Sequence, residues 1–491
     1  MRLKRFFSLM MAAVMGLALA GCGGAPAEDA RLSALSADAP KFDADPEPES
    51  LPFFASLFKS QPTEDSPAPI AGEIAKAAYP EVAPYPHEDD YVSANGTFDS
   101  EAYYEAYEKW SAFAEARPDL AAEDVEGLNA FFRDSARQFL KGDENRAYSP
   151  LNVYMALAML SGLIAGNTQA QILKLLNAPT PDALSQQANR IWNALYTDDG
   201  TSTTVLGSSL WLNETVSFHA DTLKKLSETF YASSYSGEMG SPEFDAALQA
   251  WLNGQTRGLL AQQAGGVKMS ADTLLALATT IYFKANWHDK FSEHATKPDV
   301  FHAVGGDRNA PFMRQTYTGN YYRGDGFSAV YKALNDSGMW LILPDKGKSP
   351  ADLLESGAAM DFLANRGKSG SRAQISLSLP KFDVSADLDL IGGLKALGVT
   401  DAFNGNVSDF SPMSETKGVE IGQAKHAARV KIDEEGCEAA AFTVMMAAAT
   451  AAMQPPPPVD FTLDRPFLFA VTSAQGALPL FVGAVQTPLD A

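Results

Sequence analysis

The chain has 491 residues, with 60 Asp or Glu against 38 Lys or Arg and a formal net charge of −22. That balance argues against nucleic-acid binding, because phosphate neutralisation needs clustered basic side chains and no basic patch is evident. Two cysteines, Cys22 and Cys437, cannot make a disulfide framework, and the length leaves room for more than one domain.

Residues 1–22 begin with Arg2, Lys4 and Arg5, continue through an apolar stretch too short for a comfortable membrane span, and close on small residues. That is the pattern of an export signal. Its end, Leu19-Ala20-Gly21-Cys22, resembles a bacterial lipobox. The resemblance implies cleavage before Cys22, lipidation of that cysteine, and an extracytoplasmic place anchored to a bacterial cell envelope. No intramolecular disulfide is then expected. Residues 23–97 predict a disordered acidic tether, since positions 23–90 hold eleven prolines and fourteen acidic against four basic side chains. Residues 98–125 predict an extra helical segment docked on the main domain, with Tyr103, Tyr107, Trp110 and Phe113 recurring every three or four positions.

From residue 126 onward the pattern changes. Leu128, Phe131, Phe132, Phe139 and Leu140 form one helical stripe over 128–140, and further helices are predicted at 151–177 and 183–197. Ser149-Pro150 reads as a helix start rather than a nucleophile, since Ser caps and Pro suits the first turn. Strands are predicted at 203–212, 339–343, 374–380 and 467–472. Helices dominate early and strands later without regular alternation, which predicts the α+β class. Catalytic signatures are missing: there is no GxSxG elbow, no GxGxxG after a strand and no HExxH pair, and the six histidines form no metal-like cluster. The reading is therefore of a protein that is not an enzyme and needs no metal or cofactor.

The most unusual stretch is 432–469. Between Cys437 and Pro458 the only ionisable side chain besides Cys437 is Glu438. Such a run, if exposed, invites strand pairing. As a strand it would place Cys437, Ala439, Ala441, Thr443, Met445 and Ala447 on one face, all small or apolar. The other face would hold Glu438, Ala440, Phe442, Val444 and Met446, and is expected to stay wet. Gly436 supplies freedom at the start, and Pro455 to Pro458 favour an extended polyproline exit.

This run resembles the reactive-centre loop of the serpins, and the likeness extends over most of residues 126–491. Asn145, Ser149 and Pro150 in NRAYSPLNVYMALAML resemble the family's opening helices, and TTIYFKANWHDKF (279–291) its tryptophan-bearing strand. MWLILPD (339–345), SLPKFDVSADLDLIGGLKALGVTDAF (378–403), VEIGQAKHAARVKIDEEG (419–436) and DRPFLFAV…LPLFVGAV (464–485) follow in family order. The resemblance implies a serpin fold with three β-sheets, eight or nine helices and an exposed loop at about 436–458. It implies a hinge and inserting stretch at Gly436, Cys437, Ala439, Ala440, Ala441, Thr443 and Met445, and a reactive bond at Thr450–Ala451, counted from Gly436. Loop-base and sheet-opening support falls to Trp287, His426 and a Glu434–Lys381 pair. Asn152, Thr279 and Cys437 depart from the usual Ser, Asn, and Thr, Ser or Val. The function implied is irreversible suicide inhibition of an extracellular serine protease, elastase-like or subtilisin-like, because small residues surround the bond and no Lys or Arg lies between Lys431 and Arg465. Inhibition of papain-like cysteine proteases, or a non-inhibitory role in binding a ligand or partner, stands as the alternative. The native protein is expected to be a monomer.

Overall fold

The computed structural model describes residues 72–365, 370–437, 456–474 and 477–490. The signal segment, Cys22, the tether up to residue 71, and the loop positions Ala439, Ala440, Ala441, Thr443, Met445, Thr450 and Ala451 lie outside the described residues.

Among the described residues two hydrogen-bonded sheet networks organise the molecule, which is of the α+β class. The first has eight strands, ordered across the sheet as Glu73–Ala75, Ala232–Gly237, Ser202–Asn213, Leu275–Asn286, Gly436–Cys437, Lys425–Ile432 and Phe382–Asp389, with Thr197–Asp198 paired beside Ser202–Asn213. The second has nine strands. The three sheets expected from the sequence resolve into two networks for a physical reason. Gly306–Gly324 is a 19-residue strand that pairs in turn with Lys297–Ala303, Ser371–Pro380 and Phe327–Leu334, and so carries one layer into the next. Eleven α-helices occur among the described residues.

Local sequence explains many helix starts. Ser149-Pro150, Thr180-Pro181, Ser241-Pro242 and Ser349-Pro350 each cap a helix, the hydroxyl accepting a backbone N–H three residues on while proline occupies the first turn. The stripe from Leu128 to Leu140 is buried in the main core on helix Ala122–Phe139. The single helix predicted at 151–177 is instead two, Pro150–Ser161 and Gly166–Leu175. The break falls where Leu163 and Ile164 bury, Ala165 N–H donates to Asp409 O, and Gly166 takes φ +59°.

The predicted tether is shortened at its C-terminal end. Glu73–Ala75 adds an outer strand to Ala232–Gly237, Tyr79 packs among Trp192, Tyr196 and Tyr231, and Tyr85 N–H donates to Asp199 O. A composition averaged over the whole stretch hid these two buried or half-buried tyrosines, which supply the burial that ordering needs. Helix Ser100–Ala116 docks through Trp110, whose Nε1–H donates to Asp199 Oδ2 at 3.0 Å while its ring meets Tyr85 edge-on.

Candidate functional site

The site is the junction between strands Leu275–Asn286 and Lys425–Ile432. Gly436–Cys437 runs antiparallel to both, pairing Gly436 with Asn286, and Cys437 with Ala285 and Ile432. Among the described residues no other pairing joins the two long strands. The chain reaches this position through a tight turn. Asp433 N–H donates to Gly436 O, and Asp433 Oδ1 accepts from the Glu435 and Gly436 N–H groups at 3.0 and 3.3 Å. A Cβ on Gly436 would meet Ala285 O at 2.4 Å, so the close approach requires glycine. Cys437 is 4% exposed and joins the main core, which its small side chain permits.

Trp287 fixes the top of the junction. Its backbone N–H donates to Glu435 O and its Nε1–H to Asp433 O, each at 2.9 Å. Glu434 is 7% exposed and accepts from Lys381 Nζ at 2.6 Å and Thr296 Oγ1 at 2.7 Å. Burial pushes its carboxyl up, but the hydrogen bonds from Lys381 and Thr296 outweigh it and hold the group below the usual carboxylate range. Lys290 pairs with Glu435 at 2.6 Å nearer the surface. Behind them Lys332 is buried; its Nζ donates to Asp289 O at 2.6 Å and faces the rings of Phe291 and Tyr317. Burial lowers its pKa to about 8. Sequence reading missed Thr296 and Lys332, which fall in no motif, and Lys290, which lies in the tryptophan-bearing motif at 279–291 but was given no role there. Asp433 was legible in principle, because DEEG is a turn signal.

The middle of the junction is tied by the first turn of helix Pro150–Ser161. Asn152 Nδ2–H donates to Thr279 O on one long strand, at 3.2 Å. Ser149 N–H donates to His426 Nε2 on the other, at 3.0 Å. The two departures from the family pattern, Asn152 and Thr279, therefore touch each other. His426 is 3% exposed, meets Tyr148 edge-on, and is pushed down to about 4 by burial.

The opposite face of the sheet is covered by helix Pro242–Gln255 and the turns to residue 264. Phe244, Leu248 and Trp251 anchor this cover on Trp211 and Tyr235. A cavity of about 280 Å³ lies beneath it, bounded by Leu248, Leu252 and Leu260 above, by Ala276, Ala278 and Thr280 on one strand, and by Lys425 and Ala427 on the other. Arg429 spans the same region, pairing with Asp383 at 2.6 Å and donating to Leu259 O at 3.1 Å.

The loop's far end is also fixed. Pro458–Thr462 pairs parallel with residues 374–378, Pro458 being its first residue, where proline is tolerated. Among the described residues no group of three His, Cys, Asp or Glu side chains could hold a metal. The arrangement presents the stretch from 438 to 455 between two anchored ends.

A family model described as serpin (serine protease inhibitor) matches residues 126–488. Serpin-ZX of Arabidopsis thaliana is 28% identical over 71% of this chain and 93% of its own length. Among solved structures, the thermophilic serpin tengpin in its native state aligns with TM-score 0.67 and 23% identity, covering 76% of this chain and 96% of that one. Thyroxine-binding globulin in complex with thyroxine aligns with TM-score 0.64 and 22% identity, covering 74% and 100%.

Proposed function

The chain belongs to the serpin family, whose members are in general protease inhibitors rather than enzymes, and from that premise we propose that it is a single-use, suicide-substrate inhibitor of an extracellular serine protease. The observation that carries this reading is the two-residue rung Gly436–Cys437, seated between two long strands that, among the described residues, do not pair with each other. Continued in the same register, Ala439 falls beside Phe283 and Val430, Ala441 beside Ile281 and Ala428, and Thr443 beside Thr279 and His426. The four apolar neighbours in that series all belong to the main core. Small residues at 439 and 441 suit such a place.

The steps follow from the chemistry. The protease's serine attacks the Thr450 carbonyl, expels the Ala451 amine, and becomes esterified to Thr450. Residues 438–450 are then free to follow Gly436–Cys437 into the sheet, a span of roughly 40 Å at about 3.3 Å per residue. The esterified protease is carried along, and distortion of its oxyanion hole, where each donor is worth roughly 3 kcal/mol, halts hydrolysis of the ester. Thr450, with Ala448, Ala449, Ala451 and Ala452 around it, suits a protease with a shallow primary pocket, elastase-like or subtilisin-like. Attachment to a cell envelope through lipid on Cys22 completes the reading; Cys22→Ala should abolish incorporation of labelled fatty acid.

Mixing the protein with elastase, subtilisin and trypsin tests the proposal. A denaturant-resistant complex with either of the first two, and a released peptide beginning at Ala451, supports it. Cleavage without a complex, and with no gain in heat stability, would instead favour a non-inhibitory binding role, the reading that the likeness to a thyroxine-binding protein keeps in view.

A further inference from the structure

Residues 72–117 lie outside the stretch that the family model matches, so the serpin fold gives no account of what they do. They run from Glu73–Ala75, on the edge of the first sheet, to the turn at Asp199, where Tyr85 N–H donates to the Asp199 carbonyl and Trp110 Nε1–H to its carboxylate. The ladder places that turn. Ser202 stands opposite Ala285, and Ala285 opposite Cys437. The extension is therefore fastened two strand spacings, about 10 Å, from the rung where the loop leaves the sheet. Arg117, just past helix Ser100–Ala116, pairs with Asp336 in the hairpin whose Leu334 bridges to Trp287. The helix is thus anchored at the loop-bearing end of the molecule.

Its two faces differ. Tyr103, Tyr107 and Trp110 recur at helical spacing and form a chain of ring contacts with Tyr85 and Tyr91. Glu101, Tyr104, Glu105 and Glu108 share the other face, and all are exposed. Tyr104 packs on Tyr103, Tyr103 on Phe98, and Phe98 pairs across a turn with Val92. Val92, Phe98 and Tyr104 are exposed, and the last two are the only exposed Phe, Tyr or Trp side chains among the described residues. Residues 88–108 hold seven carboxylates and no Lys or Arg, and of these only Glu105 has a lysine partner, Lys109. Docking on the core accounts for Tyr85 and Trp110; it does not account for exposed aromatic rings among carboxylates.

Resting on the inhibitory reading above, we infer that Val92, Phe98 and Tyr104, with Glu101, Glu105 and Glu108 around them, form a second contact for the protease engaged on the loop, and that they select a protease whose surface beside its active-site cleft is basic and partly apolar. Position and charge name this occupant. A stable protease complex covers about 800 Å² and roughly 20–30 residues on each partner, so surface beside the loop joins the loop in the contact. Aromatic rings supply contact area, and carboxylates steer a cationic partner and raise its rate of association.

The test measures association rate constants for the full chain with elastase, with subtilisin, and with subtilisin whose lysines have been succinylated to carboxylates. Wild type is compared with Phe98→Ser/Tyr104→Ser and with Glu101→Lys/Glu108→Lys, each of which should keep the wild-type thermal midpoint because the side chains are exposed. Both variants should associate about tenfold more slowly with an unmodified protease that forms the denaturant-resistant complex. The loss in the charge variant should disappear in 1 M salt, where charges are screened over roughly 3 Å, and the loss in the aromatic variant should remain. Succinylation should slow wild type and leave the charge variant no slower. Unchanged rates in both variants would overturn the second contact and leave the inhibitor standing. A wild type that sediments as a dimer and an aromatic variant that sediments as a monomer, at equal rates of association, would give the surface to a second copy and overturn the contact too. If neither protease forms the complex, the inhibitory reading fails and the second contact with it.

Discussion

The two ties across the central junction use opposite chemistry. At the top, a buried carboxylate is held by an ammonium and a hydroxyl, in the set Glu434, Lys381 and Thr296. In the middle, a neutral imidazole and a carboxamide join one helix turn to both strands, through Ser149–His426 and Asn152–Thr279. The charged tie is strong only while both partners are present, because a buried ion left alone is costly. The neutral tie depends on keeping His426 uncharged at a helix N-terminus, where a cation is disfavoured. The top is therefore sensitive to charge reversal, and the middle to acid.

Glu434→Lys should break the comparison hardest. It sets two ammonium groups together in a site 7% exposed and should cost about 3–5 kcal/mol. The loop base should lose its register, and the variant should polymerise on warming, read on native gels. Only monomer after heating, under conditions that polymerise related serpins, would remove the idea.

Acidification comes next in size. His426 is held at about 4 against an ordinary 6.5, so the native protein keeps it neutral while the unfolded chain takes up a proton below 6.5. Stability from this group is fully present above pH 6.5 and falls toward pH 4, by about 3 kcal/mol in all. Glu434 is lowered from 4.5, so its contribution is lost only below that pH. Between pH 6.5 and 4.5 the middle should soften while the top holds. His426→Gln should flatten the fall in thermal midpoint over that interval; an unchanged fall would place the sensitivity elsewhere.

Asn152→Ala should cost about 1 kcal/mol, since it deletes one hydrogen bond to a backbone carbonyl and leaves Thr279 O to be satisfied otherwise. Because the tie is neutral, the shift in denaturant midpoint should be the same at low and high salt. A salt-dependent loss would mean that the middle is not the neutral region its contacts describe.

The sequence carried the α+β class, the core stripe from Leu128 to Leu140 and the Ser-Pro helix starts because each is a local signal. The family resemblance drew attention to Glu434 and Lys381 as a pair, and to Trp287 and His426 as single positions. Periodicity could not reveal the side chains that complete the set, since Thr296, Lys290 and Lys332 contribute one each from separate loops and strands. Nor could alternation along the two long strands show that a covered cavity lies between them. That depends on helix Pro242–Gln255, which precedes both strands in the chain. Tyr79 was lost for the related reason that proline and acid around it dominated the local average.

The smallest expected effect lies beside the largest. Lys290 and Glu435 make an ion pair of the same 2.6 Å length as Lys381 and Glu434, and their side chains are 18% and 35% exposed against 26% and 9%. Water therefore screens Glu435 far better than Glu434. Lys290→Ala should cost under about 1 kcal/mol. The loss should vanish in 1 M salt, where charges are screened over roughly 3 Å. The equal lengths make the pair of substitutions a direct test of whether burial or distance sets the strength of the loop base. If Lys290→Ala were as damaging as Glu434→Lys, distance would be the answer, and the contrast between a wet and a buried partner on adjacent residues would have no energetic meaning.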